Sequence, residues 1–102
     1  MMKKYTIIIT KKAKADMQAF YDCIFYEYKQ PLTALRNRIE LRKTLQKLAV
    51  YAGSISISQS NYIQSLYGPD ARRVNYKKMA IIYVIRNGYV FIKRIIASAL
   101  IH

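Results

Sequence analysis

The chain has 102 residues, 18 of them Lys or Arg against 5 Asp or Glu, a formal net charge of +13. Its 53% apolar and 23% charged residues supply one core, so a single domain over residues 1–102 is expected and a disordered tail is excluded. The longest apolar runs, MAIIYVI and IIASALI, fall short of the ~18 residues that cross a bilayer, and Cys23 and His102 are each the only one of their kind, which excludes an internal disulfide, a zinc cluster and a His-based catalytic pair.

The basic start MMKK is followed by a short apolar run and then Lys11 and Lys12, which reads as a strand of a cytoplasmic protein rather than a signal peptide. Residues 5–10, YTIIIT, are β-branched and aromatic and predict a buried strand, with Thr10 as the N-cap of the next element. Ala13, Met17, Phe20, Ile24 and Tyr28 recur at helical spacing and predict a helix over 11–29, closed by Pro31. A second helix is expected over 32–51, with Leu35, Ile39, Leu45 and Leu48 on one side and Arg36, Arg38, Arg42, Lys43 and Lys47 around the rest. The two helices would form an antiparallel hairpin.

Residues 48–69 carry no charge and read as a loop with a short extended piece, of no assigned role. Beyond Gly68-Pro69, Asn87-Gly88 marks a two-residue hairpin between MAIIYVIR and YVFIKRII, because both positions tolerate positive φ. ARRVNYK adds a third antiparallel strand. The expected fold is therefore α+β: an N-terminal strand, a two-helix hairpin and a three-stranded meander in one sheet, with the helices packed on one face.

This order, with AKADMQAFYDCIFYEY on the first helix, RRVNYKKMAIIYVI leading to Tyr83, and VFIKRII ending in Arg94-Ile95, resembles the RelE/ParE superfamily of bacterial type II toxin–antitoxin toxins, the plasmid stabilisation proteins. The resemblance spans nearly the whole chain. It implies a small basic toxin silenced by a cognate antitoxin. It also implies one of two targets: translated messenger RNA on the ribosome, cut in the manner of RelE, or DNA gyrase, inhibited without catalysis in the manner of ParE. RelE-type nucleases commonly carry an Arg where this chain has Ala80, and an Arg or His where it has Ala97 and Ser98, which weakens the nuclease expectation.

Read from the residues themselves, the charge predicts a polyanionic partner, whether nucleic acid, an acidic protein segment or an anionic lipid surface. The resemblance narrows this to the antitoxin and the target, with no membrane, small-molecule ligand, metal or cofactor expected. Metal-free RNA cleavage needs a base, an acid and cations around the phosphorane. Arg72, Arg73, Lys77, Lys78, Lys93 and Arg94 are the expected cations for nucleic acid or target binding. Arg72, Arg73, Lys77, Tyr83 and Arg94 are the catalytic candidates, with Tyr76 and Tyr89 as further phenols. Strand alternation sets Arg73, Asn75 and Lys77 on one side and Arg72, Val74, Tyr76 and Lys78 on the other, and sends Lys93 and Arg94 to opposite faces. Most tyrosines, Tyr21 and Tyr28 included, are expected to pack, and Cys23 to be a small buried residue. The meander would then form a basic concave face, with an antitoxin strand on a sheet edge or an antitoxin helix on the helical pair. A non-toxic nucleic-acid-binding module is the remaining alternative, supported by charge alone.

Overall fold

The computed structural model describes residues 4–101, so the expectations for His102 and for the first three residues lie outside it. The β-branched start forms β1 (Thr6–Ile9), and Thr10 caps α1 (Lys11–Asp22) by accepting from the Ala13 amide at 3.3 Å. The first helix is α-helical only to Asp22 and ends in a π-helical turn, Cys23–Glu27, with Lys29 at φ 53°. That wider turn rotates the chain off the helical stripe. Tyr28, expected to pack, is consequently 66% exposed, while Cys23 is half-buried and donates its thiol hydrogen bond to Glu27 at 3.4 Å. Pro31 opens α2 (Pro31–Tyr51) at the position where its missing N–H costs nothing.

The second helix buries Ala34, Asn37, Leu41, Leu45 and Leu48. Leu35 and Ile39, expected on that face, are instead 47% and 49% exposed, and Leu32 beside them is 77% exposed. The reason is that the buried stripe is disguised by a small residue and a polar one. Asn37 is tolerated inside because its backbone carbonyl accepts from the Tyr76 hydroxyl at 3.4 Å and its side-chain oxygen accepts from Lys77.

After a 3-10 turn, Ala52–Ser54, the uncharged segment holds a helix that its composition hid: α3 (Asn61–Tyr67), capped by the Ser60 hydroxyl, which accepts from Ile63 N–H at 3.3 Å. The extended piece is present as one bridge between Ile57 and Arg72. Then come β2 (Arg72–Tyr76), β3 (Met79–Arg86), β4 (Tyr89–Ala97) and a closing 3-10 turn, Ser98–Leu100. Asn87 and Gly88 join β3 to β4 with φ of 49° and 80°, the geometry the sequence requires.

The four strands form one sheet in the order β1-β4-β3-β2, with β1 parallel to β4 and the other pairs antiparallel. Alternation divides its side chains between two cores. Ile81, Tyr83, Val90, Ile92 and Ile95 meet α1 and α2 on the inner face. Ile82 and Val84 meet Ile63 of α3 on the outer face, with Tyr62, Tyr67, Phe91 and Ile96 packed around them. The α+β architecture is thus the expected one, with a short helix added across the sheet.

Two carboxylates tie the far parts together. Glu40 accepts from the Tyr76 hydroxyl at 3.0 Å and lies 3.5 Å from Lys77, which docks the β2–β3 turn on α2; Asp70 pairs with Arg86. The hydrogen bond from Tyr76 holds Glu40 below its ordinary value, and the one from Arg86 does the same for Asp70. A carboxyl depressed in the folded state stabilises above its unfolded pKa, and that contribution is lost as pH falls through the folded value. Urea unfolding measured from pH 6 down to pH 3 should therefore show stability falling below the ordinary 4.5 of Glu40 and 3.8 of Asp70. The Glu40→Gln/Asp70→Asn variant should show a shallower acid loss.

Candidate functional site

The expected basic face does not form as one surface. In register, Arg72 faces Tyr83 and so belongs to the inner face, while Arg73 faces Ile82 and belongs to the outer. The Arg72 guanidinium donates to the carbonyl oxygens of Ile55 and Gly53, stapling the uncharged segment to the start of β2. Arg73 donates to the Asn75 side chain at 3.0 Å. Lys77 and Lys78 are not strand residues but the two-residue turn between β2 and β3, with Lys77 at φ 54°. Lys77 is engaged by Asn37 and Glu40, and the Lys78 carbonyl accepts from the Ser98 amide at 2.8 Å.

The phenol candidates are committed as well. Tyr83 is fully buried and its hydroxyl donates to the Ala52 carbonyl at 2.8 Å; burial pushes its pKa up to about 12. Burial, then the bond to Glu40, likewise raises Tyr76 to about 12. Tyr89 is 45% exposed beside the Asn87-Gly88 turn, at the start of β4 and away from Arg94. Ala80 is fully buried in the row between Asn75 and Ile96, and Ala97 and Ser98 close β4 with neither charge nor imidazole.

What the fold does bring together is a groove of about 620 Å³ on the outer face. Its walls are the start of α1 (Lys11, Lys12), α3 (Tyr62, Leu66, Tyr67) and the end of β4 (Lys93, Arg94). Two local devices build it. The register between β3 and β4 pairs Tyr83 with Ile92 and Ile82 with Arg94, so Lys93 is the extra residue of a β-bulge. That bulge corrects the expectation of opposite faces: Lys93 and Arg94 line the same groove.

The second device is Asp16. β1 is only four residues long and ends opposite Ile92, leaving the next part of β4 with an open edge. Thr10 covers its start, donating its hydroxyl to Ile92 O at 2.7 Å, and Asp16 accepts from the Ile95 amide at 2.9 Å. The same carboxylate receives Arg94 through both its Nε (2.7 Å) and Nη2 (3.0 Å), a bidentate pair in which Asp16 is 16% and Arg94 33% exposed. That pair, aided by the Tyr67 hydroxyl, raises the pKa of Arg94 further, and it fixes the guanidinium in the wall of the groove with its charge matched by Asp16.

No protein-family model and no curated protein matches the sequence. Among solved structures, the chain is similar to the chromosomal ParDE toxin–antitoxin system of P. aeruginosa: TM-score 0.76, 20% identity, covering 92% of this chain and 96% of that one. That likeness is one of fold: the chain is folded like the matched chain of that ParDE structure. No helix among the described residues is long and apolar enough to cross a membrane, and no cluster of His, Cys, Asp or Glu among them is placed to hold a metal ion.

Lys11, Lys12, Tyr62 and Tyr67 were not legible as site residues because they come from the far ends of the chain's elements. A signal for α3 existed: Ser60 stands as an N-cap before Tyr62, Ile63, Leu66 and Tyr67 at helical spacing. The assignments separate by experiment. Tyr83→Phe should cost about 1–3 kcal/mol in urea unfolding, by orphaning the buried Ala52 carbonyl, and leave binding of a single-stranded oligonucleotide unchanged. Lys93→Glu should do the reverse, keeping stability and weakening that binding.

Proposed function

We propose that this chain is the toxin of a type II toxin–antitoxin module, silenced by a cognate antitoxin, and that the free protein acts in the cytoplasm by gripping its target rather than by cutting RNA. The observation that carries the reading is the chemistry of the outer groove. Lys11, Lys12 and Lys93 give it charge, Arg94 being matched by the Asp16 carboxylate, and among the described residues that line it none is a carboxylate or an imidazole. RNA cleavage without a metal needs a group to take the 2′-hydroxyl proton and another to protonate the leaving oxygen. Tyr76 and Tyr83 are held protonated and bonded elsewhere, and Ala80, Ala97 and Ser98 offer nothing in their place.

The fold shared with the ParDE structure supports the toxin reading, and the ParE manner of action points to DNA gyrase as the target. A second reading, ribosome-dependent messenger cleavage, is favoured by Tyr62 and Tyr67, whose rings flank the groove where unpaired bases would stack. The two differ in what happens to messages. Induction of the protein in bacterial cells, followed by mapping of messenger ends, should give growth arrest with messages intact. The Lys11→Glu/Lys93→Glu variant should relieve that arrest. Cuts at translated codons would transfer the case to the nuclease, and growth without arrest would remove the toxin reading and leave a plain nucleic-acid-binding module.

A further inference from the structure

A second cavity, of about 220 Å³, opens between α1 and α2 and shares no residue with the outer groove. Its floor is apolar: Ile9 at the end of β1, Met17 of α1, and Ala34 and Leu41 of α2, the last two each 1% exposed. The small side chain of Ala34 leaves space that a larger residue would fill. The mouth is cationic. Lys14 on α1 and Arg38 and Arg42 on α2 stand exposed around it, and no acidic residue lines it. The ion pairs among the described residues go to Lys77, Arg86 and Arg94 and to none of these cations. Asp22, on the same helix as Lys14, accepts from Gln18 at 2.9 Å.

The arginines are placed rather than trailing in solvent. The Arg38 guanidinium lies 5.3 Å over the centre of the Tyr21 ring, which itself stacks on Phe25 at 5.7 Å. Arg42 follows one helical turn later, a like-charge spacing that destabilises a helix unless an anion lies between the two. An apolar floor under an unmatched cationic mouth selects its ligand. Inorganic phosphate would satisfy the cations and leave the floor in water, and a neutral hydrocarbon would do the reverse. A volume below the ~300–1,000 Å³ of drug-sized pockets calls for a short chain. Contrary to the expectation of no small-molecule ligand, we infer that the α1–α2 cavity binds an amphipathic carboxylate of the medium-chain fatty-acid class. Its chain lies on Met17, Ala34 and Leu41 and its head between Arg38 and Arg42, whose planar forks match a carboxylate. The cavity and its cations stand whether or not the chain is a toxin.

The test titrates octanoate, below its micellar range, into the full isotope-labelled chain at neutral pH and follows the amide resonances. Shifts should gather at Met17, Ala34, Arg38 and Leu41 and leave Tyr62, Tyr67 and Lys93 still. Affinity should fall about fourfold for each methylene removed on the way to butanoate, the worth of one buried CH₂. Arg38→Gln/Arg42→Gln should weaken octanoate about tenfold or more through the loss of charge-assisted bonds, with the unfolding midpoint held or raised. Ala34→Leu should remove binding by filling the floor; the arginine variant and the chain-length series decide the matter should that variant fail to fold. Absence of binding, equal affinity for butanoate or for neutral octanol, equal binding by the arginine variant, or shifts centred on the outer groove would overturn the proposal.

Discussion

The carboxylate of Asp16 is the point on which the rest of the molecule turns. A four-residue β1 cannot cover a nine-residue β4, and a strand edge with unpaired amides is both costly and open to association. The chain solves this by running α1 along the exposed edge, where Thr10 takes the first carbonyl and Asp16 the Ile95 amide. The bidentate bond to Arg94 then follows from the same side chain, so closure of the sheet and placement of a cation at the groove are one event. The bulge at Lys93 lies next to this junction and brings a second cation to the same face.

The charge balance acquires meaning from where the acids are spent. Five carboxylates serve 18 cations, and the described ion pairs use three of them locally: Asp16 on Arg94, Glu40 on Lys77 and Asp70 on Arg86. Asp22 and Glu27 bond to Gln18 and Cys23 within the first helix and its π-helical turn. Of the cations left without a described ion pair, Lys11, Lys12 and Lys93 line the outer groove, beside Tyr62 and Tyr67.

The sequence spoke clearly where a local rule has one solution. Asn87-Gly88 admits little but a tight hairpin, YTIIIT has no helical alternative, and Thr10 and Pro31 punctuate the helices at the positions they occupy in the structure. It misled where a side chain's role depends on distant residues. Leu35 and Ile39 look like core because the true core stripe of α2 passes through Ala34, which is small, and Asn37, whose polar groups are satisfied inside by Tyr76 and Lys77 about forty positions away. Alternation predicted opposed faces for Lys93 and Arg94, and a single bulge cancels that prediction. Tyr83 looked chemically available until its hydroxyl was found buried against Ala52. The site residues were half legible: Lys93 and Arg94 were in view, whereas Lys11, Lys12, Tyr62 and Tyr67 join them only through the topology.

Closure of the sheet rests on the Asp16 carboxylate, and the Asp16→Ala variant is the measurement to make. Removing a largely buried carboxylate leaves the Ile95 amide and the Arg94 guanidinium without their partner, and about 3 kcal/mol of stability should be lost in urea unfolding. Hydrogen exchange should quicken at Ile95 beyond that global loss, while amides of the β3–β4 hairpin near Asn87 follow the global change alone. Wild-type stability with unchanged protection at Ile95 would contradict the claim that this carboxylate closes the sheet and sets the groove.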